Sequence, residues 1–213
     1  MEKKHLVIGV DEVGRGALCG SVTVAAFAFL DRKRFFKEAP RAPLRDSKRL
    51  TLRARECWFE TVREHARAGN VVFATARVLP RTVDRVNITN AANLAATRAY
   101  ERLVATAELT PSSLAVLLDG GLFISPHDGL TPRVTLTIVR GDEKVSEIQL
   151  ASIVAKVTRD RAMARLHARY PAYGFAAHKG YGTDLHRRAL ARHGPSAVHR
   201  LTFLKNFLKV RTI

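Results

Sequence analysis

The sequence predicts an α/β protein, a mixed sheet with helices packed on it and a helical C-terminal portion. Three observations predict it. Five apolar, β-rich runs of strand length occur before residue 143. Two long segments with apolar residues at three- and four-residue spacing lie among them. From about residue 148 onward only helical spacing is found.

The runs HLVIGV (5–10) and SVTVAAFAFL (21–30) flank GRGALCG (14–20), so they read as neighbouring hairpin strands with that stretch as connection. Residues 31–50 are charged, carry Pro40 and Pro43, and read as a loop. TLRARECWFETVREHARAG (51–69) has helical spacing and a glycine stop at Gly69, and NVVFATARVL (70–79) restores a strand. Residues 87–106 are alanine-rich and read as a long helix. SLAVLLDG (113–120) and RVTLTIVRGD (133–142) are the last two strands, each closing on an aspartate beside a glycine. The chain then reads as helix from Ile148 to about Tyr170, passes through YGFAAHKGYGT (173–183), and ends in a short helix (184–194) and an amphipathic one (199–209). With no repeat, low-complexity tract or flexible linker, one domain is expected over 1–213, with 171–213 as its helical C-terminal extension.

Lysine and arginine number 36 against 19 acidic residues, a net charge of +17 that creates a field attractive to polyanions. Nucleic acid is the first partner to consider; the alternative is an arginine-rich surface with no such partner. The two cysteines, Cys19 and Cys57, show no metal or redox spacing, and the start MEKKHLVIGV is not of the secretory kind, so a reducing cytoplasm is expected. The longest apolar stretch, 22–30, is far short of the roughly 20 residues a bilayer requires, so no membrane is expected.

The candidate chemistry lies in the carboxylates. VIGVDEVGRG (7–16) ends an apolar strand in Asp11 and Glu12. Side chains alternate across a strand, so both can serve one site only if the strand ends or distorts there. Asp119 and Asp142 also close strands, where an open sheet gathers residues distant in sequence. Converging carboxylates need cations to neutralise them, and oxygen-only ligation suits Mg²⁺ or Mn²⁺. Two such ions about 4 Å apart activate a water and stabilise the leaving oxygen of a phosphodiester. Each Asp-Gly pair taken singly is also compatible with a simple turn.

Taken together, GVDEVGRG (9–16), DSKRL (46–50), LLDG (117–120), GDEKVSEIQLASIVAKVTRD (141–160) and YGFAAHKGYGT (173–183) resemble the type 2 ribonucleases H of prokaryotes, the ribonuclease HII family. The resemblance implies the ribonuclease H fold with a central five-stranded mixed sheet. It further implies a two-metal endonuclease using Mg²⁺ or Mn²⁺. Such an enzyme hydrolyses the RNA strand of RNA/DNA hybrids and cuts 5′ of a ribonucleotide embedded in duplex DNA, leaving 3′-hydroxyl and 5′-phosphate ends. It carries Asp11, Glu12, Asp119 and Asp142 over as catalytic, metal-holding carboxylates. Asp128 competes with Asp142 because the segment after Asp119 is longer than expected. Ala17 and Ser21 stand where the family usually has prolines. The related ribonuclease HIII has GTG where this chain has Gly14-Arg15-Gly16, and carries an extra N-terminal domain for which the start of the motif at residue 9 leaves no expectation.

The bare amides of Gly14, Arg15 and Gly16 allow close approach of a sugar and phosphate. The resemblance implies that this turn, with Tyr181, reads the 2′-hydroxyl that separates RNA from DNA. Lys48 and Lys156 are candidate phosphate contacts, with Ser47 and Ser152 as lesser donors. Arg159 and Asp160, at helical spacing from Lys156, are read equally as a structural ion pair or as substrate contacts and are left out of the site; His178 is read as a loop or phosphate-contacting residue, and the other histidines receive no role. The resemblance implies a monomer, and LTFLKNFLKVRTI carries no clear clamp-binding pattern. A non-catalytic nucleic-acid-binding module, or another nuclease of the same fold such as a junction resolvase or integrase core, are the alternatives.

Overall fold

The computed structural model describes residues 6–40, 42–45 and 47–208. His5 of the first predicted strand, Asp46 of DSKRL and Lys209 of the last predicted helix lie outside them. In order the chain forms β1 (Leu6–Val13), β2 (Val22–Phe29), α1 (Arg32–Lys37), α2 (Leu52–Arg67), β3 (Val71–Val78), α3 (Pro80–Val86), α4 (Ile88–Thr106), β4 (Leu114–Asp119), β5 (Val134–Ile138), α5 (Gly141–Lys144), α6 (Ser146–Arg169), α7 (Phe175–His178), α8 (Asp184–His193) and α9 (Leu201–Leu208). The sheet order is β3-β2-β1-β4-β5. The first three strands are antiparallel neighbours, and β4 and β5 run parallel to β1, so the expected five-stranded mixed sheet is present.

The two sheet faces follow from the period of two along each strand. Ile8 and Val10 of β1 share one face with Leu114, Val116 and Leu118 of β4, beneath the alanine stripe Ala91, Ala92, Ala95, Ala96 and Ala99 of α4. These small side chains let the helix lie close to the strands. Asn87 caps α4, its side chain accepting the Asn90 N–H at 3.0 Å. The opposite face is covered by α6, through Leu150, Ile153 and Val154, and by α2, through Trp58 and Val62. Gly9 makes that contact possible, because a Cβ there would strike the backbone of Glu147 and Ile148. A third apolar cluster, with Leu18, Met163, Tyr173, Phe175 and Leu190, joins the β1–β2 connection to the C-terminal helices.

Three details depart from the sequence reading. The charged loop over 31–50 contains α1: the Asp31 side chain accepts the Arg34 N–H at 2.9 Å, and Phe35 is fully buried against Phe29 and Trp58. One cap and one buried ring outweigh the surrounding charge. Helix α3, with Pro80 in its first turn, follows β3 directly. Asp142 does not close a strand: β5 stops at Ile138, Arg140 turns the chain at φ +54°, and Asp142 sits in the first turn of α5.

Candidate active site

Pairing of β1 with β4 ends at Val10 and Leu118, whereas β1 continues beside β2 as far as Val13. A notch therefore opens at the carboxyl ends of the two parallel strands. Asp11 and Asp119 follow the alternation onto the α6 face there. Asp119 Oδ1 accepts the Gly141 N–H at 2.6 Å, which fastens α5 to the end of β4 and brings Asp142 to the same place. Carboxylate oxygens of Asp11, Asp119 and Asp142 lie within 4.8 Å of one another. Asp128 is exposed and outside this group.

The strand does not distort at Asp11 and Glu12, since Glu12 and Val13 still pair with Val24 and Thr23. Glu12 consequently takes the α4 face and borders the cluster rather than joining it. Its Oε1 lies 3.3 Å from Arg15 Nη1, while Oε2 is buried without a partner. It acts electrostatically on Asp11 and is itself acted on by Asp119.

Burial holds the Asp11 carboxyl well above the usual range, and the neighbouring charge of Glu12 adds to this. A hydrogen bond from Ser152 of α6 works in the other direction. The Ser47 and Ser152 hydroxyls are 2.8 Å apart, so with Ser152 donating to Asp11, Ser47 donates to Ser152. Burial also raises Glu12, against the pull of Arg15. Lys48 Nζ lies 3.3 Å from Asp142 Oδ2. An all-oxygen donor set, crowded enough to resist ionisation and bordered by an orphaned carboxylate oxygen, fits a divalent cation.

The turn after the carboxylates rests on a buried arginine. Gly14 has φ +89°, and a Cβ there would lie inside the Arg159 guanidinium. Arg159 is fully buried; Nε donates to Ser21 C=O at 3.2 Å, Nη2 to Cys19 C=O at 3.4 Å, and Cζ stands 5.4 Å from the Tyr181 ring centroid. One residue thus touches both elements expected to read the ribose. Arg200 supports the turn from the far side, donating to Arg15 C=O at 2.8 Å and to Gly20 C=O. The sequence reading weighed Arg159 only as an ion-pair or substrate-contacting residue and did not mention Arg200. The available signal was that Arg159 continues the Ser152, Ala155 stripe of α6, which runs on to buried Met163.

Gly16 is exposed, with nothing within 4 Å of the position a Cβ would take, and Tyr181 is 37% exposed. Lys156 is bound to Asp160 at 2.7 Å, and Asp160 also faces Arg55 at 3.7 Å. Asp160 is therefore the structural ion-pair member and Arg159 is not. His178 is buried with both ring nitrogens engaged, Nε2 with Tyr173 C=O at 2.8 Å and Nδ1 with the Gly180 N–H at 3.2 Å, so it is no phosphate contact.

A sheet of this order with carboxylates gathered at the ends of β1 and β4 has the ribonuclease H-type fold. The sequence profile of the Ribonuclease HII family matches residues 8–206. The chain is 39% identical over 209 residues to the Ribonuclease HII of Caldicellulosiruptor bescii, covering 98% of this chain and 91% of that one. It is 44% identical over 206 residues to that of Shewanella oneidensis, covering 95% and 90%. The chain belongs to the ribonuclease HII family and is a metal-dependent ribonuclease H. Among solved structures, the ribonuclease HII of Archaeoglobus fulgidus, described in a complex with PCNA, superposes with TM-score 0.65 at 23% identity, over 92% of this chain and 94% of that one. Bst-RNase HIII in complex with Mn²⁺ superposes with TM-score 0.70 at 22% identity, over 97% and 70%. At these identities the likeness is one of fold. Among the described residues no helix is long and apolar enough to cross a membrane.

Proposed function

We propose that this enzyme hydrolyses the RNA strand of RNA/DNA hybrids and cuts 5′ of single ribonucleotides embedded in duplex DNA, using two Mg²⁺ or Mn²⁺ ions held by Asp11, Asp119 and Asp142, with Glu12, whose unpartnered Oε2 borders the cluster, as the fourth carboxylate. The observation that carries the reading is the three-aspartate cluster, with Asp11 and Asp142 buried and Asp119 partly so, beside a glycine-flanked turn that shares Arg159 with Tyr181. Such ions, when bound, supply a nucleophile at neutral pH and stabilise the charge of the leaving oxygen. The chain's own residues do the rest. Asp11, kept in place by Ser152 and the Glu12 amide, and Asp119, kept by Gly141, hold their oxygens toward one another despite repulsion. Lys48, beside Asp142, and Lys156, beside Asp160, stand at the edge of the site as phosphate contacts. Ser47 and Ser152 serve as supports for Asp11 and as lesser donors.

Selection of ribose falls to the amides of Gly14, Arg15 and Gly16 and to Tyr181. Gly16 needs no glycine for its own packing, and a bare backbone there leaves room for a sugar. The Tyr181 ring is exposed enough to stack on the next nucleotide. The test is cleavage of three duplexes: one embedded ribonucleotide, a full RNA/DNA hybrid, and all DNA. The reading expects the first two to be cut and the third spared, with a single incision 5′ of the ribonucleotide. Tyr181→Phe should cost roughly two- to tenfold in kcat/KM on the first duplex, and Tyr181→Ala more, by about 1–3 kcal/mol of stacking. Wild-type rates for Tyr181→Ala would end that tyrosine's role.

A further inference from the structure

Three buried histidines that the metal chemistry does not use pack around the Tyr181 loop. His178 ends α7, His186 belongs to α8, and His199 precedes α9. The rings of His178 and His186 stack at 4.3 Å, 16° from parallel. His186 Nδ1 is 3.0 Å from Tyr181 C=O, and its Nε2 is 3.1 Å from His199 Nε2. His199 Nδ1 is 2.9 Å from the Ser196 N–H.

Backbone groups set the protons of this relay. A carbonyl only accepts, so His186 carries its hydrogen on Nδ1 and presents a lone pair at Nε2. A backbone N–H only donates, so His199 accepts at Nδ1, toward which the Ser196 hydroxyl at 2.9 Å then also turns its hydrogen, and carries its own on Nε2. The two inner nitrogens then match as donor and acceptor, and the relay runs from the Ser196 N–H to Tyr181 C=O. By the same rule His178 donates from Nε2 to Tyr173 C=O and accepts the Gly180 N–H at Nδ1. Two stacked rings thereby hold the Lys179–Gly180 peptide before Tyr181 and the Tyr181–Gly182 peptide after it. The loop needs such holding. Lys179 and Gly180 are consecutive left-handed residues, at φ +51° and +85°, and a non-glycine residue persists there only when its surroundings over-determine it.

Cys19, His186 and His199 also have ligand atoms within 4.8 Å of one another. Two features oppose a metal there: it would have to displace the hydrogen on His199 Nε2, and burial pushes the Cys19 thiol up to about 12, which favours its neutral form. Burial likewise takes His186 down to about 4, so the relay is uncharged at neutral pH.

We propose that His178 and His186 are positioning residues for ribonucleotide recognition, fixing the Tyr181 loop against the turn at residues 196–199 through His199. The proposal rests on the reading of Tyr181 as the residue that inspects the ribose. The Gly180 carbonyl extends the same coupling to the glycine-rich turn, since it accepts the Leu18 N–H at 2.8 Å.

Long-range ¹H–¹⁵N NMR of the imidazoles in the full chain tests the relay without any substitution. His186 should be the Nδ1–H tautomer and His199 the Nε2–H tautomer; His199 protonated at Nδ1, or shifts on adding Zn²⁺ alone, overturns it. Kinetics test the role. Wild type, His186→Leu, His186→Asn and Tyr181→Ala are compared on the embedded-ribonucleotide duplex and on the full hybrid. Asparagine keeps a donor near the Nδ1 position, so His186→Asn should stay within about threefold of wild type, whereas His186→Leu should lower the embedded-to-hybrid ratio of kcat/KM about tenfold, the value of one hydrogen bond. An unchanged ratio, or equal losses on both substrates, overturns the positioning role. An unchanged ratio for Tyr181→Ala instead removes the reading of the tyrosine on which the proposal stands. Should His186→Leu not fold, His178→Leu against His178→Asn is read by the same criteria, since asparagine keeps an acceptor for Gly180.

Discussion

Replacing Arg159 by methionine removes a side chain that touches both the Gly14 turn and Tyr181, at little change in length. The guanidinium donates to two backbone carbonyls, Ser21 at 3.2 Å and Cys19 at 3.4 Å, each bond from a charged donor worth about 1.5–3 kcal/mol. Its contact with the Tyr181 ring adds about 0.5–2 kcal/mol. Both bonds are long, so the lower values apply, and the sum is ~4 kcal/mol. Against this, Arg159 is fully buried with Nη1 unpartnered, and methionine avoids part of a desolvation cost of several kcal/mol. A net loss of ~2–3 kcal/mol remains, which for a chain of this size lowers Tm by roughly 5–10 °C. Urea unfolding gives the free energy, and the midpoint should fall with m unchanged. Cleavage at an embedded ribonucleotide should fall further than cleavage of a hybrid, because both ribose-reading elements lose their common support. Stability within about 0.5 kcal/mol of wild type would refute the reasoning, since surface substitutions change no more than that.

Lys48→Ala should weaken binding about equally for all duplex sequences and reduce the salt dependence by about one counterion, checked by binding titrations over a range of salt; an unchanged slope contradicts a phosphate contact. His186 is held near 4 in the folded state against 6.5 when free, chiefly by burial, so its contribution to stability is complete above 6.5 and lost as pH falls toward 4. Urea midpoints from pH 7 downward should show that loss, and His186→Asn should show less of it. The raised carboxyls of Asp11 and Glu12 must ionise to hold a cation, so calorimetry in buffers of different ionisation enthalpy should register proton release when Mg²⁺ binds at about pH 5, where an ordinary aspartate is already charged. Binding without release would contradict the crowding of that site.

Strand periodicity made the sheet legible, since Ile8, Val10, Leu114, Val116 and Leu118 announce one face and Asp11 and Asp119 the other. The long helices α2 and α4 were equally plain, each opened by a capping Thr51 or Asn87. What was hidden depends on tertiary placement. Helix α1 exists because Phe35 finds a buried aromatic pocket, a fact no local pattern in a charged segment carries. The end of β5 four residues before Asp142 depends on the bond from Asp119 to Gly141 and the turn at Arg140. Among the site residues, Asp119 was readable as a strand end beside glycine, whereas Asp142 was read as one and lies in the first turn of α5, and Asp11 lies two residues before the end of β1. Arg159, Arg200 and the histidines were not readable, because a buried polar residue is recognisable only once its backbone partners are known.

The central claim is that the aspartates gathered at the ends of β1 and β4 hold the ions that cleave RNA. Its most direct test is single-turnover cleavage of a duplex with one embedded ribonucleotide by Asp11→Asn and Asp119→Asn in saturating Mg²⁺, with binding to the same duplex measured in parallel. Asparagine keeps the shape and removes the charge that binds the cation. Both variants should bind the duplex within about threefold of wild type and cleave it about a thousandfold or more slowly, because the lost interaction acts in the transition state. Cleavage by either variant at a rate near wild type would remove that aspartate from the metal centre and contradict the claim.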